Sequence, residues 1–235
     1  MLGEITLNGI SSRDFNVYLT DAEAYGMPER DVKSIEIDGR NGNLIIDNGR
    51  YKNRDISYPC VIIDNFMENY SAFLGYILNQ RGYIRIESSF NPDEYLLGVF
   101  KNKTDVTTTT FREKGRFDIE FERKPQRFIK EGEFPIEFNS SGTIFNPYNG
   151  NARPLVRVYG TGSISIGDIT ITVNSVNQYV DIDCEIQDAY KDTTNCNGNI
   201  TLNNSKFFEL EPGNNNISIS GNISKIEIIP RWWRL

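Results

Sequence analysis

Asp181, Asp183 and Glu185 alternate with Val180, Ile182, Cys184 and Ile186. On a strand this spacing puts three carboxylates on one face, with Tyr179 and Gln187 extending it, because side chains repeat every second residue. Several such oxygens together are what a hard cation such as Ca²⁺ takes. No Asp-x-Asp-x-Asp-Gly loop follows, so the pattern reads as a solvent-facing strand edge whose charges resist sheet-to-sheet pairing. A glycosidase needs only two carboxyl groups about 5–9 Å apart. With 32 acidic residues some pair always qualifies, so the spacing singles out none.

The missing residue types are as informative. There is no histidine, which removes the commonest general base, the Ser-His and Cys-His pairs and most zinc sites. Gly39-Arg40-Asn41-Gly42 lacks the Gly-Lys-Ser/Thr ending of a phosphate loop. Cys60, Cys184 and Cys196 are odd in number and irregular in spacing, so they read as buried or half-buried thiols, although Cys184 and Cys196 are near enough in sequence to meet across a hairpin. We assign no catalytic residue, no cofactor-binding residue and no metal ligand, and expect a protein that is not an enzyme and carries no cofactor.

The elements that position these residues divide the chain in two. The chain has 235 residues, a net charge of −7 and 38% hydrophobic residues, enough for one large or two small globular domains. Residues 1–130 carry 18 basic and 20 acidic residues, a net of −2; residues 131–235 carry 7 and 12, a net of −5. The acidic balance argues against a protein that grips nucleic acid. Met1-Leu2-Gly3-Glu4-Ile5 opens no signal peptide, and no apolar run approaches the ~20 residues of a membrane span, so synthesis in a cytoplasm without membrane insertion is expected.

The first half reads as strands plus one helix. Lys33–Asp38 alternates as a half-buried strand, Gly39–Asn43 is a loop, and Leu44–Asp47 runs into Asn48-Gly49, a type I′ hairpin signal. Phe117, Ile119 and Phe121 alternate with acids, and Lys114-Gly115 is expected to turn the chain from a Thr107–Thr110 strand. Phe66, Tyr70, Phe73, Leu74, Ile77 and Leu78 make one helical stripe, with Asn65 as N-cap, Glu68 as its capping-box acid and Gly82 as the stop.

The second half reads as all β. Ser163–Ile166 and Ile169–Val173 flank a Gly167-Asp168 turn, and Ile217 and Ile219 lead through Gly221-Asn222 to Ile226 and Ile228. Nine asparagines between 195 and 222 add turn signals. Short strands with such punctuation indicate a β-sandwich or a jelly roll. At the end, Pro230-Arg231-Trp232-Trp233-Arg234-Leu235 sets both tryptophans beside two arginines. Such a segment either forms the last strand with a Trp buried or docks on a neighbouring domain or subunit.

Three stretches together resemble a known family. They are Gly39–Leu44 with Asn48-Gly49-Arg50-Tyr51, then Phe121-Glu122-Arg123-Lys124-Pro125-Gln126-Arg127-Phe128, then Ile226–Trp233 preceded by Glu185–Lys191. In order and separation they are similar to the distal tail proteins of long non-contractile-tailed bacteriophages infecting low-GC Gram-positive bacteria. The resemblance implies a mainly β fold: an N-terminal β-barrel-like, ring-forming domain with one helix (1–130) and a C-terminal galectin-like β-sandwich (131–235). It implies a homo-hexameric hub at the virion tail tip, around a channel that passes DNA without specific binding. One face would meet the tail-tube protein and the other the tail-associated lysin or tail-tip protein, while receptor-binding or other baseplate proteins would dock outside. The alternative is a carbohydrate-binding adhesion module for a host cell-wall saccharide, with Trp232, Trp233 or Tyr179 stacking on sugar.

Overall fold

A computed structural model describes residues 2–22, 26–101, 106–109, 113–203 and 205–235, the strand at 106–109 by its backbone. The chain is mainly β with one α-helix, and it divides into two compact units, Met1–Arg127 together with Leu235, and Phe128–Arg234. Thr110 and Asn204, read above as strand and turn residues, lie outside the described residues. No helix among the described residues is long and apolar enough to cross a membrane.

The first unit contains β1 (Ile5–Leu7), β2 (Ile10–Ser11), β3 (Val17–Leu19), β4 (Arg30–Ile35), β5 (Leu44–Tyr51), β6 (Arg54–Ile62), α1 (Phe66–Leu78), β7 (Ile84–Ser88), β8 (Glu94–Phe100), β9 (Val106–Thr109) and β10 (Lys114–Arg123). Its main sheet runs β2-β1-β7-β8-β10-β6-β3, with β9 also on β10. The alternation read in β10 holds: Phe117, Ile119 and Phe121 are buried. The helix lays Phe66, Phe73 and Ile77 into the core, and Tyr70 meets Phe117 edge-on at 4.9 Å. Leu78, at the stripe's end, is half exposed.

Three local expectations are corrected. Asn65 precedes the helix in a left-handed conformation and makes no side-chain cap bond; the Phe66 amide donates instead to the Glu113 carbonyl. The helix stops at Leu78, before Gly82, whose positive φ serves the turn that follows. Lys114-Gly115 is strand, not turn, since Gly115 pairs with both Ile62 and Thr108. Glycine is required there by packing: a Cβ would meet the Phe66 ring at 2.3 Å. That ring is buried and stacked on Tyr70 at 5.3 Å. Gly115→Ala is expected to cost about 1–3 kcal/mol of overpacking, measured as a lower urea midpoint at unchanged slope.

The second unit holds β11 (Arg127–Ile129) from its second residue on, β12 (Ile136–Phe138), β13 (Gly142–Asn146), β14 (Leu155–Ile166), β15 (Ile169–Val173), β16 (Val180–Asp183), β17 (Asp188–Lys191), β18 (Thr194–Asn195), β19 (Ile200–Leu202), β20 (Gly213–Ile229) and β21 (Trp233–Arg234). Two long strands, β14 and β20, organise it. Near one end they carry β16 and β12; near the other they carry β15 and β13. Between the halves the register shifts at Tyr159/Gly160, so that Ser224 is the extra residue of a bulge. A bulge bends a strand and raises its twist. Val156, Val158, Ile226 and Ile228 from one half and Ile164, Ile166 and Ile217 from the other join one core.

Gly221-Asn222 is therefore no turn: it lies inside β20, where pairing with β14 along the whole length overrides the local signal. Gly167, by contrast, takes φ +56° in the two-residue turn from β14 to β15, as its sequence indicates.

Candidate assembly surfaces

The Asn48-Gly49 signal leads to the first candidate surface. These residues sit inside β5, not at a hairpin tip. The register with β4 jumps from Arg30↔Tyr51 to Val32↔Asp47, so Asp31 alone faces Asn48, Gly49 and Arg50. The positive φ of Gly49 (+69°) forms a bulge, and the chain reverses in the Gly39–Asn43 loop. Together β4 and β5 form a two-stranded ribbon separate from the main sheet.

That ribbon is not half-buried, as its alternation had indicated. Val32, Ile35, Ile37, Leu44, Ile45 and Ile46 are each 40–57% exposed. Ile45 and Ile46 are neighbours on a strand, so both faces of the ribbon are apolar. Three ion pairs run along it and at its base: Arg30 to Asp47 at 3.0 Å, Arg50 to Asp31 at 2.7 Å and Lys52 to Glu29 at 2.7 Å. A contiguous exposed aliphatic surface rimmed by polar residues marks an interaction site. An isolated two-stranded ribbon is at best marginally stable in water, so a partner surface also stabilises its fold.

The second motif stretch is a structural brace in the first unit. Arg123 is buried and donates to the carbonyls of Lys124 and Pro125. Arg127 reaches the buried Glu94 at 2.6 Å.

The carboxylate row of β16 is corrected most sharply. Asp181 and Asp183 are buried, not solvent-facing, and each is held bidentately by an arginine. Arg157 grips Asp181 at 2.7 and 2.8 Å; Arg231 grips Asp183 at 2.6 and 2.8 Å. Their oxygens are committed to guanidinium groups. The strand ends at Asp183, leaving Glu185 and Ile186 exposed beyond it. Burial works to raise the Asp183 pKa; the hydrogen bonds and charge of Arg231 and the amides of Glu185 and Ile186 outweigh it and hold the carboxyl below its ordinary value. Asp183 in turn raises the pKa of Arg231 against its desolvation.

The C-terminal segment resolves the two readings left open for it. Trp232 is buried in the second unit's own core. Its carbonyl accepts from the Ile129 amide, and the Arg231 amide donates to the Gly132 carbonyl. Gly132 is flush against this segment: a Cβ there would lie 2.4 Å from the Trp232 nitrogen. Trp233 lies over Gly150 and donates its indole N–H to Asn151 at 3.1 Å. Tyr179 is also engaged, with the Arg157 guanidinium 4.2 Å and the Lys191 ammonium 5.2 Å from its ring centre. Trp232 therefore offers no open face for stacking, and Tyr179 already has two cations near its ring.

The three cysteines are free thiols. Burial pushes Cys60 well above the usual thiol range and Cys184 up to about 12, so neither is a ready nucleophile.

Residues 164–232 match the family model of a siphovirus-type tail component, C-terminal domain. The fold is that of the SPP1 Dit (gp 19.1) protein, a hub adsorption apparatus of Gram-positive infecting phages, with a TM-score of 0.74 over 97% of this chain and 98% of that one, at 12% identity. A chain of the phage P2 baseplate in its activated conformation with Ca aligns over 100% of this chain and 99% of its own, with a TM-score of 0.50 and 12% identity. No curated protein sequence matches the chain.

Proposed function

We propose that this chain, whose residues 164–232 match the family model of a siphovirus-type tail component, is a structural hub protein of a phage tail tip, as the resemblance read from its three motif stretches implies. The fold it shares with a tail hub protein over nearly its whole length supports that reading. In it the protein works by its surfaces and performs no catalysis.

The observation that carries the assembly is the β4–β5 ribbon. Six exposed aliphatic residues, spread over the two faces of the ribbon, need an occupant, and a second copy of this chain is the one a ring supplies. The ribbon of one subunit packs on a different patch of the next, which makes a heterologous contact, and such contacts close into a ring when the subunit rotation allows. Six copies make the hexamer expected of a hub. At −7 per chain a ring of six carries a formal charge of about −42, which keeps phosphate-rich DNA moving through a channel rather than adhering to it. The ring would join the tail tube to the tail-tip or lysin protein and offer its second units to receptor-binding or baseplate proteins. The protein would be made in the host cytoplasm and end in the virion.

Light scattering after size exclusion tests this. A subunit of 26.9 kDa is expected to give a particle of about 161 kDa, or twice that for stacked rings. A triple variant, Ile35→Ser, Ile45→Ser and Ile46→Ser, is expected to be a monomer that keeps the thermal transition of its second unit, since none of these side chains belongs to that unit's core. A wild-type chain that stays monomeric both alone and with its tail-tube protein overturns the proposal.

A further inference from the structure

The second unit contains a cleft that assembly does not explain. Its volume is about 510 Å³, within the roughly 300–1,000 Å³ of small-molecule sites. The β14–β15 turn, the segment before β20 and the chain around Phe207 enclose it. We infer that this cleft is a binding site for a neutral saccharide.

The wall is built rather than incidental. Asn215, itself buried, donates its side-chain amide to the carbonyls of Glu211 and Gly213 and accepts from the Glu211 amide. Those three bonds tie the start of β20 to the segment before it, and Asn214 and Asn216, which flank Asn215 on that strand, line the cleft. Asn216 accepts from the Thr143 hydroxyl through its side-chain oxygen at 3.2 Å. Gln187, in a left-handed backbone conformation, also lines the cleft. Carboxamides both donate and accept, which is what a sugar hydroxyl, itself donor and acceptor, requires of a partner.

Phe207 adds the apolar element. It is half-buried, so its ring is packed from behind and still lines the cleft. An aromatic surface beside convergent polar groups matches the apolar C–H face and polar rim of a pyranose. Charge narrows the class. Arg153 and Lys206 face three acidic lining residues, Asp168, Glu209 and Glu211. Arg153 is already 3.4 Å from Glu209. The net formal charge of the lining is negative, which disfavours phosphate polymers and other polyanions. An apolar ligand would leave the amides unpaired.

This site is independent of the hub reading: it lies wholly in the second unit and requires no ring. The test titrates ¹⁵N-labelled full-length protein with neutral mono- to trisaccharides of glucose, galactose, rhamnose and N-acetylglucosamine, and with poly(glycerol phosphate) as the polyanion. Saturable shifts of Asn214, Asn216 and Gln187 amides with at least one neutral sugar, and none with the polyanion, are expected. Asn214→Ala and Gln187→Ala, both at exposed positions, are each expected to weaken binding about tenfold. Phe207→Ala is expected to abolish it, and the two exposed variants keep the test valid if that one unfolds. Absence of saturable shifts with every neutral sugar overturns the proposal. So does sugar binding that the variants leave unchanged, or loss of a protein partner in the variants without any sugar binding.

Discussion

Arg231→Ala is expected to unfold the second unit at markedly milder conditions. Arg231 closes a bidentate pair with Asp183, which is 5% exposed. Removing one partner of such a pair leaves a buried, uncompensated charge and costs about 3 kcal/mol or more. The remaining partners, two backbone amides and the Tyr190 hydroxyl at 3.5 Å, stay behind but carry no countercharge. Arg231→Lys is expected to fall between, because an ammonium cannot reproduce the two parallel bonds. For a unit of this size each 1 kcal/mol lowers the melting temperature by about 4–8 °C, so calorimetry resolves the series.

The pH dependence provides a second signature. In the wild type the folded-state pKa of Asp183 lies below its ordinary value of 3.8. The stability this contributes is complete above that ordinary value and is lost as pH falls through the lowered one. In Arg231→Ala the sign reverses: burial without the countercharge raises the carboxyl pKa above its unfolded value, so acidification now stabilises the variant relative to neutral pH. A difference in stability between the two proteins that shrinks from pH 6 to pH 3 is the expected result. A difference that stays constant over that range would show that Asp183 and Arg231 are not coupled.

Trp232→Ala carries the largest packing penalty. The side chain is 4% exposed and belongs to the core of the second unit. Truncating a buried tryptophan costs about 3–5 kcal/mol from lost transfer energy and the cavity left behind. Trp233→Ala, whose side chain is only half-buried against Gly150, is expected to cost less. Both tryptophans lie in Phe128–Arg234, so indole fluorescence follows that unit, while far-UV circular dichroism follows the whole chain. Denaturant curves read by both probes should separate in Trp232→Ala, with the fluorescence transition moving to lower denaturant. Coincident, unshifted curves would mean the terminus is not part of that core.

The sequence alone determined the elements whose signals are local. The alternation of Phe117, Ile119 and Phe121 made a half-buried strand, the 3.6-residue spacing of Phe66, Phe73 and Ile77 buried a helix face, and Gly167 turned β14 into β15. Each depends on periodicity or on one residue's φ, which neighbours along the chain already specify. The order of three motif stretches was legible in the same way and carried the family resemblance.

Only the tertiary structure decided what those elements face. Alternation in Lys33–Asp38 says that one face differs from the other, but not whether anything covers it; among the described strands β4 and β5 pair only with each other, and their aliphatics are exposed. Asn48-Gly49 permits a positive φ, and the pairing of β5 with β4 spends it on a bulge instead of a turn. Gly221 offers the same freedom and is held in a continuous strand by β14. The carboxylates of Asp181 and Asp183 look like a charged edge because their partners are 24 and 48 residues away. The sequence lists these charges; long-range packing sets whether each meets water, a cation or a guanidinium, because desolvation and pairing depend on distance in space and not along the chain.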